Sequence, residues 1–259
     1  MNIIDFHAHV FPEDLAPKVV SNLENYYKMP WECKGTVSDI KLSMEEGGVS
    51  KSVVFSTPTK PGQVINVNNF LFELKDDPAF ICFGSVHPDY GDCLGEIQRI
   101  KDNGLFGFKF HPDFQRFNVD DEKMIKIYEE IGTEYPILIH CGDKNTDFSS
   151  PYRFAHLLEV LPKHKFVAAH LGGYSEWDMA YKYLVGKNIY FDTSSSMCKL
   201  TPKETEDIIK AHGVEKVLFG TDYPAISHKE ELEKFLKLRF TDGEFEKMLH
   251  GNAENLLNL

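Results

Sequence analysis

The chain has 259 residues, 42% of them apolar and 26% charged, with 18 Gly, 13 Pro and five Cys. That balance excludes a disordered, collagen-like or disulfide-framework protein, and it can bury a full core in one barrel or two small domains. The 40 acidic residues against 28 basic ones leave a formal charge of -12, a poor match for nucleic-acid phosphates or an anionic membrane surface.

Cys33, Cys82, Cys93, Cys141 and Cys198 are odd in number and form no C-x-x-C pair, as expected of free thiols in a reducing compartment. The start, Met1-Asn2-Ile3-Ile4-Asp5, lacks the basic and apolar regions of a secretory signal. No window approaches the roughly 18 apolar residues of a membrane span. The expectation is a cytoplasmic protein with a small-molecule partner, with no nucleic-acid or membrane partner and with a homo-oligomer allowed.

In chain order, short apolar runs at 3–6, 52–56, 80–86, 105–110, 136–139, 166–169, 189–192 and 216–219 predict eight strands. From the second onward their ends fall 23 to 30 residues apart, the length of one strand-helix unit. The first connection, about 10–48, is long enough for two helices of its own. Met124, Ile127, Tyr128 and Ile131 share one face of a predicted helix, and Ser150-Pro151 reads as the start of another. Thr201, Ser227 and Thr241 each stand three residues before a Glu, the capping-box spacing. Gly104 and Gly213 sit where helices should end. Eight alternations in one domain spanning 1–259 predict an α/β fold, a (β/α)8 TIM barrel, with an open doubly wound sheet as the competing arrangement.

Six of the 11 histidines, His7, His9, His87, His111, His140 and His170, fall on or just after predicted strand ends. A barrel opens all those ends onto one face, where active sites are built. His7-Ala8-His9 is an H-x-H, so period-2 geometry turns both imidazoles to the same side. His140 ends the fifth strand, His170 the sixth, and Asp222 follows the eighth. Four imidazoles and one carboxylate meeting at the barrel axis suit Zn²⁺ and also allow Mn²⁺, Ni²⁺ or Fe²⁺. Each histidine also has a structural reading as a cap or a hydrogen-bonded residue, strongest for His87 and His111, which precede prolines. His156 and His212 fall in helix patterns and are expected at solvent or at a helix end. Trp31 reads as a packing residue in a first loop that could cover the barrel mouth.

With those motifs in place, the chain resembles the amidohydrolase superfamily. It is most similar to the amidohydrolase-related branch that holds aminocarboxymuconate-semialdehyde decarboxylase, resorcylate decarboxylases and small metal-dependent hydrolases. The matching segments are Ile4-Asp5-Phe6-His7-Ala8-His9, Gly107-Phe108-Lys109-Phe110-His111-Pro112, Ile139-His140, Ala169-His170-Leu171-Gly172-Gly173, Phe191-Asp192-Thr193-Ser194, Phe219-Gly220-Thr221-Asp222-Tyr223-Pro224 and Gly251-Asn252-Ala253-Glu254-Asn255-Leu256. The resemblance implies that His7, His9, His140 and Asp222 bind one divalent ion. It makes His170 either a fifth ligand or the imidazole that orients bound water, and Asp222 the proton acceptor.

Lys109 carries three readings. Carboxylated, it would bridge two metals, as in binuclear members of the superfamily. As a cation it would grip a substrate carboxylate, with His111 and Gln115 lining the same pocket. As a structural group it would pair with Asp192. The resulting expectation is a hydrolase that uses metal-activated water on an amide, ester or lactone of a small carboxylate-bearing molecule. The alternative is a metal-dependent non-oxidative decarboxylase. A metal-binding protein without catalysis would not need the complete ligand set, and a related deoxyribonuclease would want Glu where Lys109 and His111 stand.

Overall fold

Alternation along the strands decides which side chains fill the centre. In the computed structural model, which describes residues 2–259, eight parallel strands follow one another around a single sheet in chain order. β1 (Ile4–His9) leads to α1 (Ala16–Tyr27) and α2 (Val37–Gly47), and β2 (Lys51–Phe55) leads to α3 (Val64–Leu74). β3 (Phe80–Gly84) precedes α4 (Cys93–Asp102), and β4 (Gly107–Phe110) precedes the one-turn α5 (Pro112–Gln115) and α6 (Glu122–Ile131). β5 (Pro136–Ile139), α7 (Pro151–Val160), β6 (Lys165–Ala168) and α8 (Trp177–Tyr183) continue the alternation. β7 (Tyr190–Asp192) and α9 (Pro202–His212) come next. β8 (Val217–Leu218) is followed by α10 (His228–Phe235), α11 (Asp242–Glu246) and α12 (Asn252–Leu257).

The last strand returns to the first. Phe6 N–H donates to Phe219 C=O at 2.8 Å, and His9 N–H donates to Tyr223 C=O at 2.7 Å. This nearly closed ring is a single-domain (β/α)8 barrel, not the open sheet.

Ile4, Phe6, Val53, Phe55, Ile81, Phe83, Leu138, Val167, Ala169 and Leu218 pack inside the barrel, joined by Ala253, Leu256 and Leu257 of α12. The alternate residues, among them Val54, Cys82, Phe108, Phe110, Ile137, Ile139, Phe166 and Phe191, pack outward with the helices. Phe110 meets Phe117 and Tyr128 edge-on, so the aromatics of β4 face the helices, while Phe106, just before the strand, is half-exposed. The long first connection holds the two expected helices. Thr201 and Thr241 form complete capping boxes, whereas Ser227 supplies only its own half, accepting from Glu230 N–H.

His212 departs from the expectation of a solvent-facing or capping residue. It is 6% exposed and stacks on Phe191 at 3.8 Å. Its Nε2–H donates to Ile189 C=O at 2.9 Å, and Nδ1 accepts from Gly186 N–H at 3.2 Å. No helix among the described residues is long and apolar enough to cross a membrane.

Candidate metal centre

The site begins with an extra residue in β1. Asp5 pairs with Ser52 and Ala8 with Val54, so three steps on β1 match two on β2. Such a bulge reverses which residues face inward. Phe6 points into the barrel before it. After it His7 and His9 face inward, while Ala8 packs with the outer core. Asp5 holds the distortion by accepting from the backbone N–H of His7 at 2.9 Å and of Thr221 at 3.0 Å. His228 Nε2 lies 3.1 Å from its other oxygen and is tied in turn to Ser43 and Ser52. His228 gave no sequence signal, because its partners come from three distant segments.

Asp222 reaches the same place from the opposite edge. Its backbone N–H donates to His7 C=O at 2.8 Å, and its φ of 66° lies in the left-handed region that non-glycine residues seldom occupy. Asp222 Oδ1 stands 3.3 Å from His7 Nε2 and 3.4 Å from His9 Nε2. Ser195 donates to its other oxygen at 2.5 Å. Across the mouth, His170 Nε2 and His140 Nδ1 are 2.9 Å apart. His7, His9, His140, His170 and Asp222 all line one cavity of about 90 Å³, together with His111.

The outer nitrogens of these rings are spoken for. His7 Nδ1–H points at Asp192 Oδ2 at 2.9 Å, and Asp192 also accepts from the His170 and Ser194 backbone N–H groups and the Ser194 hydroxyl. His170 Nδ1–H donates to Ser194 C=O at 2.9 Å. Both rings therefore aim a lone pair, not a proton, at the cavity. Burial, reinforced by the Lys109 ammonium, holds His7 well below its ordinary pKa. Burial likewise lowers His9, His140 and His170. For Asp222, burial alone would raise the carboxyl, but its contacts with His7, His9 and His170 pull it below the ordinary carboxylate range, a pull that needs positive charge which, with those rings neutral, a cation in the cavity would supply.

A neutral imidazole lone pair facing a carboxylate oxygen is repulsive unless a cation lies between them. The His7, His9 and Asp222 ligand atoms lie within 4.8 Å of one another. His140 adds an orphan: its buried Nε2 has no hydrogen-bond partner, and the nearest carboxylate, Asp113 Oδ2, is 3.8 Å away. A proton on that nitrogen, facing Asp113, frees Nδ1 as a ligand. The residues fit a divalent metal.

Other expected contacts fall differently. Gln115 is 2% exposed and not at the cavity. Its amide donates to Pro58 C=O and Val86 C=O and accepts from His111 N–H, so its polar capacity is spent on bracing loops rather than on substrate. Lys109 is fully buried and absent from the cavity wall. Its Nζ lies 3.4 Å from His7 Nε2 and 4.8 Å from the Phe55 ring centre, with no direct ion pair to Asp192 among the described residues. Burial pushes its pKa down to about 8, against the opposing pull of Asp192 and Asp222. The ammonium therefore lies beside the same His7 nitrogen that faces Asp222, next to the ligand cluster, and without the expected Asp192 ion pair among the described residues.

His111 lies on the wall, stacked between Phe114 and His140 at 4.0 Å from each. It also caps α5 by accepting from Phe114 N–H, so its structural and its cavity readings hold together. The sequence reading missed Tyr27, Phe114 and Thr57, which share the wall with Phe11, Val19 and Leu23, and Asp113 behind His140. Trp31 lines the cavity as well, from the first loop that covers the mouth.

A family model described as Amidohydrolase matches residues 4–259. Among solved structures, an uncharacterised TIM-barrel protein from Bordetella bronchiseptica is similar at 19% identity with a TM-score of 0.79, covering 100% of this chain and 99% of its own. 5-Carboxyvanillate decarboxylase from Sphingomonas paucimobilis matches at 15% identity and TM-score 0.74, covering 100% and 99%. Dihydroxybenzoic acid decarboxylase from Polaromonas sp. JS666, with bound manganese and 2-nitroresorcinol, matches at 18% identity and TM-score 0.74, covering 100% and 98%. No curated protein matches the sequence.

Proposed function

The chain belongs to the amidohydrolase family, and from that premise we propose that it is a metal-dependent non-oxidative decarboxylase of a small hydroxylated, carboxylate-bearing substrate. The observation that carries this reading is Asp222. Among the described residues it is the one carboxylate lining the cavity, 3.3 Å from His7 Nε2 and 3.4 Å from His9 Nε2, under walls formed by Phe11, Leu23, Tyr27, Trp31 and Phe114. Decarboxylases among the similar structures, one of them with manganese, support placing this reaction ahead of the hydrolysis favoured by sequence.

A divalent ion held by His7, His9 and Asp222, with His140 and His170 beside it, would supply positive charge to the anionic oxygens of the substrate. Mn²⁺ is the first ion to test, and the nitrogen-rich donor set also accepts Zn²⁺. The protein's own groups handle orientation and protons. Phe114, which lines both the metal cavity and the adjoining groove, offers an aromatic contact for a planar ring that extends past the small cavity. Tyr27 hydroxyl, 3.4 Å from His111 Nε2, supplies a hydrogen bond at the wall. Asp222 accepts the proton of the substrate hydroxyl and returns it to the carbon that bears the carboxylate. The bond from that carbon to the carboxylate then breaks, its electron pair stays on the carbon skeleton, and CO2 leaves; overall one proton is taken up. The apolar walls favour this step because they strip hydration from a carboxylate that departs uncharged.

The test is to incubate Mn²⁺-loaded protein with carboxyl-¹³C hydroxybenzoates and measure ¹³CO2 and the phenolic product. Release by the wild type, abolished in Asp222→Asn, is the expected result. Hydrolysis of amide, ester or lactone substrates without ¹³CO2 release would overturn the assignment.

A further inference from the structure

We propose that the substrate carries an apolar extension, which leaves the metal cavity and lies in the groove between α1 and α3. The proposal rests on the reading that the metal cavity holds the reacting head group, whichever reaction follows.

Size is the first argument. The cavity around the metal-ligand cluster is about 90 Å³, whereas an apolar cavity that accepts benzene is about 150 Å³. The adjoining groove is about 600 Å³, within the range of small-molecule sites. The two are contiguous: Phe11, Val19, Leu23, Thr57, Thr59 and Phe114 line both.

The helices that form the groove supply the second argument. Leu15, Val19 and Leu23 recur every fourth residue, which places them in one row along α1. Ala16 is the one residue of α1 that is buried, so this row is not spent on the core. Val19 and Leu23 face the metal cavity and the groove together, while Leu15 faces the groove and is 50% exposed. From α3, Val67 and Phe70 form the facing apolar wall. An apolar track therefore runs from the ligand cluster to the surface. Lys18, Asn22 and Asn66 add polar groups to the groove lining, as do Thr57, Ser56, whose hydroxyl donates to Val10 C=O, and Gln63 and Thr59, which bond each other; the α1 row itself carries none. An uncharged hydrocarbon or aryl extension matches this chemistry.

The experiment uses straight-chain hydroxamates from acetohydroxamate to octanohydroxamate, whose head binds a divalent metal regardless of the enzyme's reaction. Binding to the Mn²⁺-loaded full chain is measured by titration calorimetry. Affinity should rise by up to about fourfold for each methylene that enters the groove. Leu15→Asp and Phe70→Ala, each checked for an unchanged melting profile, should reduce that gain per methylene. A flat series in the wild type, no binding of any hydroxamate, or a gain that both variants leave untouched would overturn the proposal. A rising series without CO2 release would retire decarboxylation alone, and CO2 release with a flat series would retire the groove alone.

Discussion

Nδ1 of His7 lies 2.9 Å from Oδ2 of Asp192, and this contact determines what His7 can do at its other nitrogen. With the proton fixed on Nδ1, Nε2 presents a lone pair beside Asp222 Oδ1. A carboxylate behind a ligating histidine both orients the ring and raises its basicity.

Asp192→Asn should therefore weaken metal binding by about ten- to a hundredfold while the barrel stays folded. Competition against a chelator of known affinity measures this directly. An unchanged metal affinity would mean that His7 does not depend on Asp192 for its tautomer.

Gly220 supports the same ring from below. A Cβ at this position would stand 3.1 Å from His7 Cβ and 3.4 Å from the Cβ atoms of Asp192 and Ser194. Gly220→Ala should displace His7, lower metal affinity, and cost about 1–3 kcal/mol of stability as overpacking does. Gly243→Ala, where nothing lies within 4 Å, serves as the control in the same chemical-denaturation and metal-titration series.

The fold was more legible than the site, and β1 shows why. The apolar runs locate every strand because inward and outward residues are both buried in a parallel barrel. The bulge between Asp5 and Ala8 leaves no mark in the pattern of apolar residues, yet it alone turns His7 and His9 inward after Phe6. The H-x-H spacing reports that the two histidines share a side but not which side. Gln115 was misplaced for a related reason: proximity in sequence to a strand end does not say whether a side chain meets the cavity or braces a loop, and Lys109 lies buried beside His7 Nε2 without reaching the cavity wall. Tyr27 and Trp31 come from the long first connection, whose path over the mouth is set by tertiary packing of Tyr27 with Phe114 and Tyr174.

Lys109 gives a stoichiometric prediction. The ammonium lies 3.4 Å from the Nε2 of His7 but is absent from the wall that a substrate would meet, so Lys109→Met should leave about one bound metal per chain and an unchanged KM. Replacing a buried cation by an apolar group of similar length should leave stability unchanged or higher. Two metals in the wild type falling to one in the variant would instead identify a carboxylated, bridging lysine.

His212 makes stability depend on pH. Burial pushes its pKa down to about 4 from an ordinary 6.5, because protonation would place a second N–H against Gly186 N–H. Above 6.5 the ring is neutral whether folded or unfolded, and its full contribution is present. As pH falls from 6.5 towards 4 the unfolded chain takes up the proton first, so stability drops, by about 3 kcal/mol in the limit, and levels off below 4. His212→Gln should flatten this portion of the curve of unfolding free energy against pH. An identical slope in variant and wild type would contradict the assignment.

The account rests on one ion shared by His7, His9 and Asp222. Elemental mass spectrometry of protein purified without chelators, beside His7→Ala, tests it most directly. The expected result is about one transition metal per chain in the wild type, lost in a variant whose circular dichroism shows an intact barrel. No metal in the wild type after exposure to Mn²⁺ or Zn²⁺, or full retention in His7→Ala, would contradict the metal centre and the chemistry built on it.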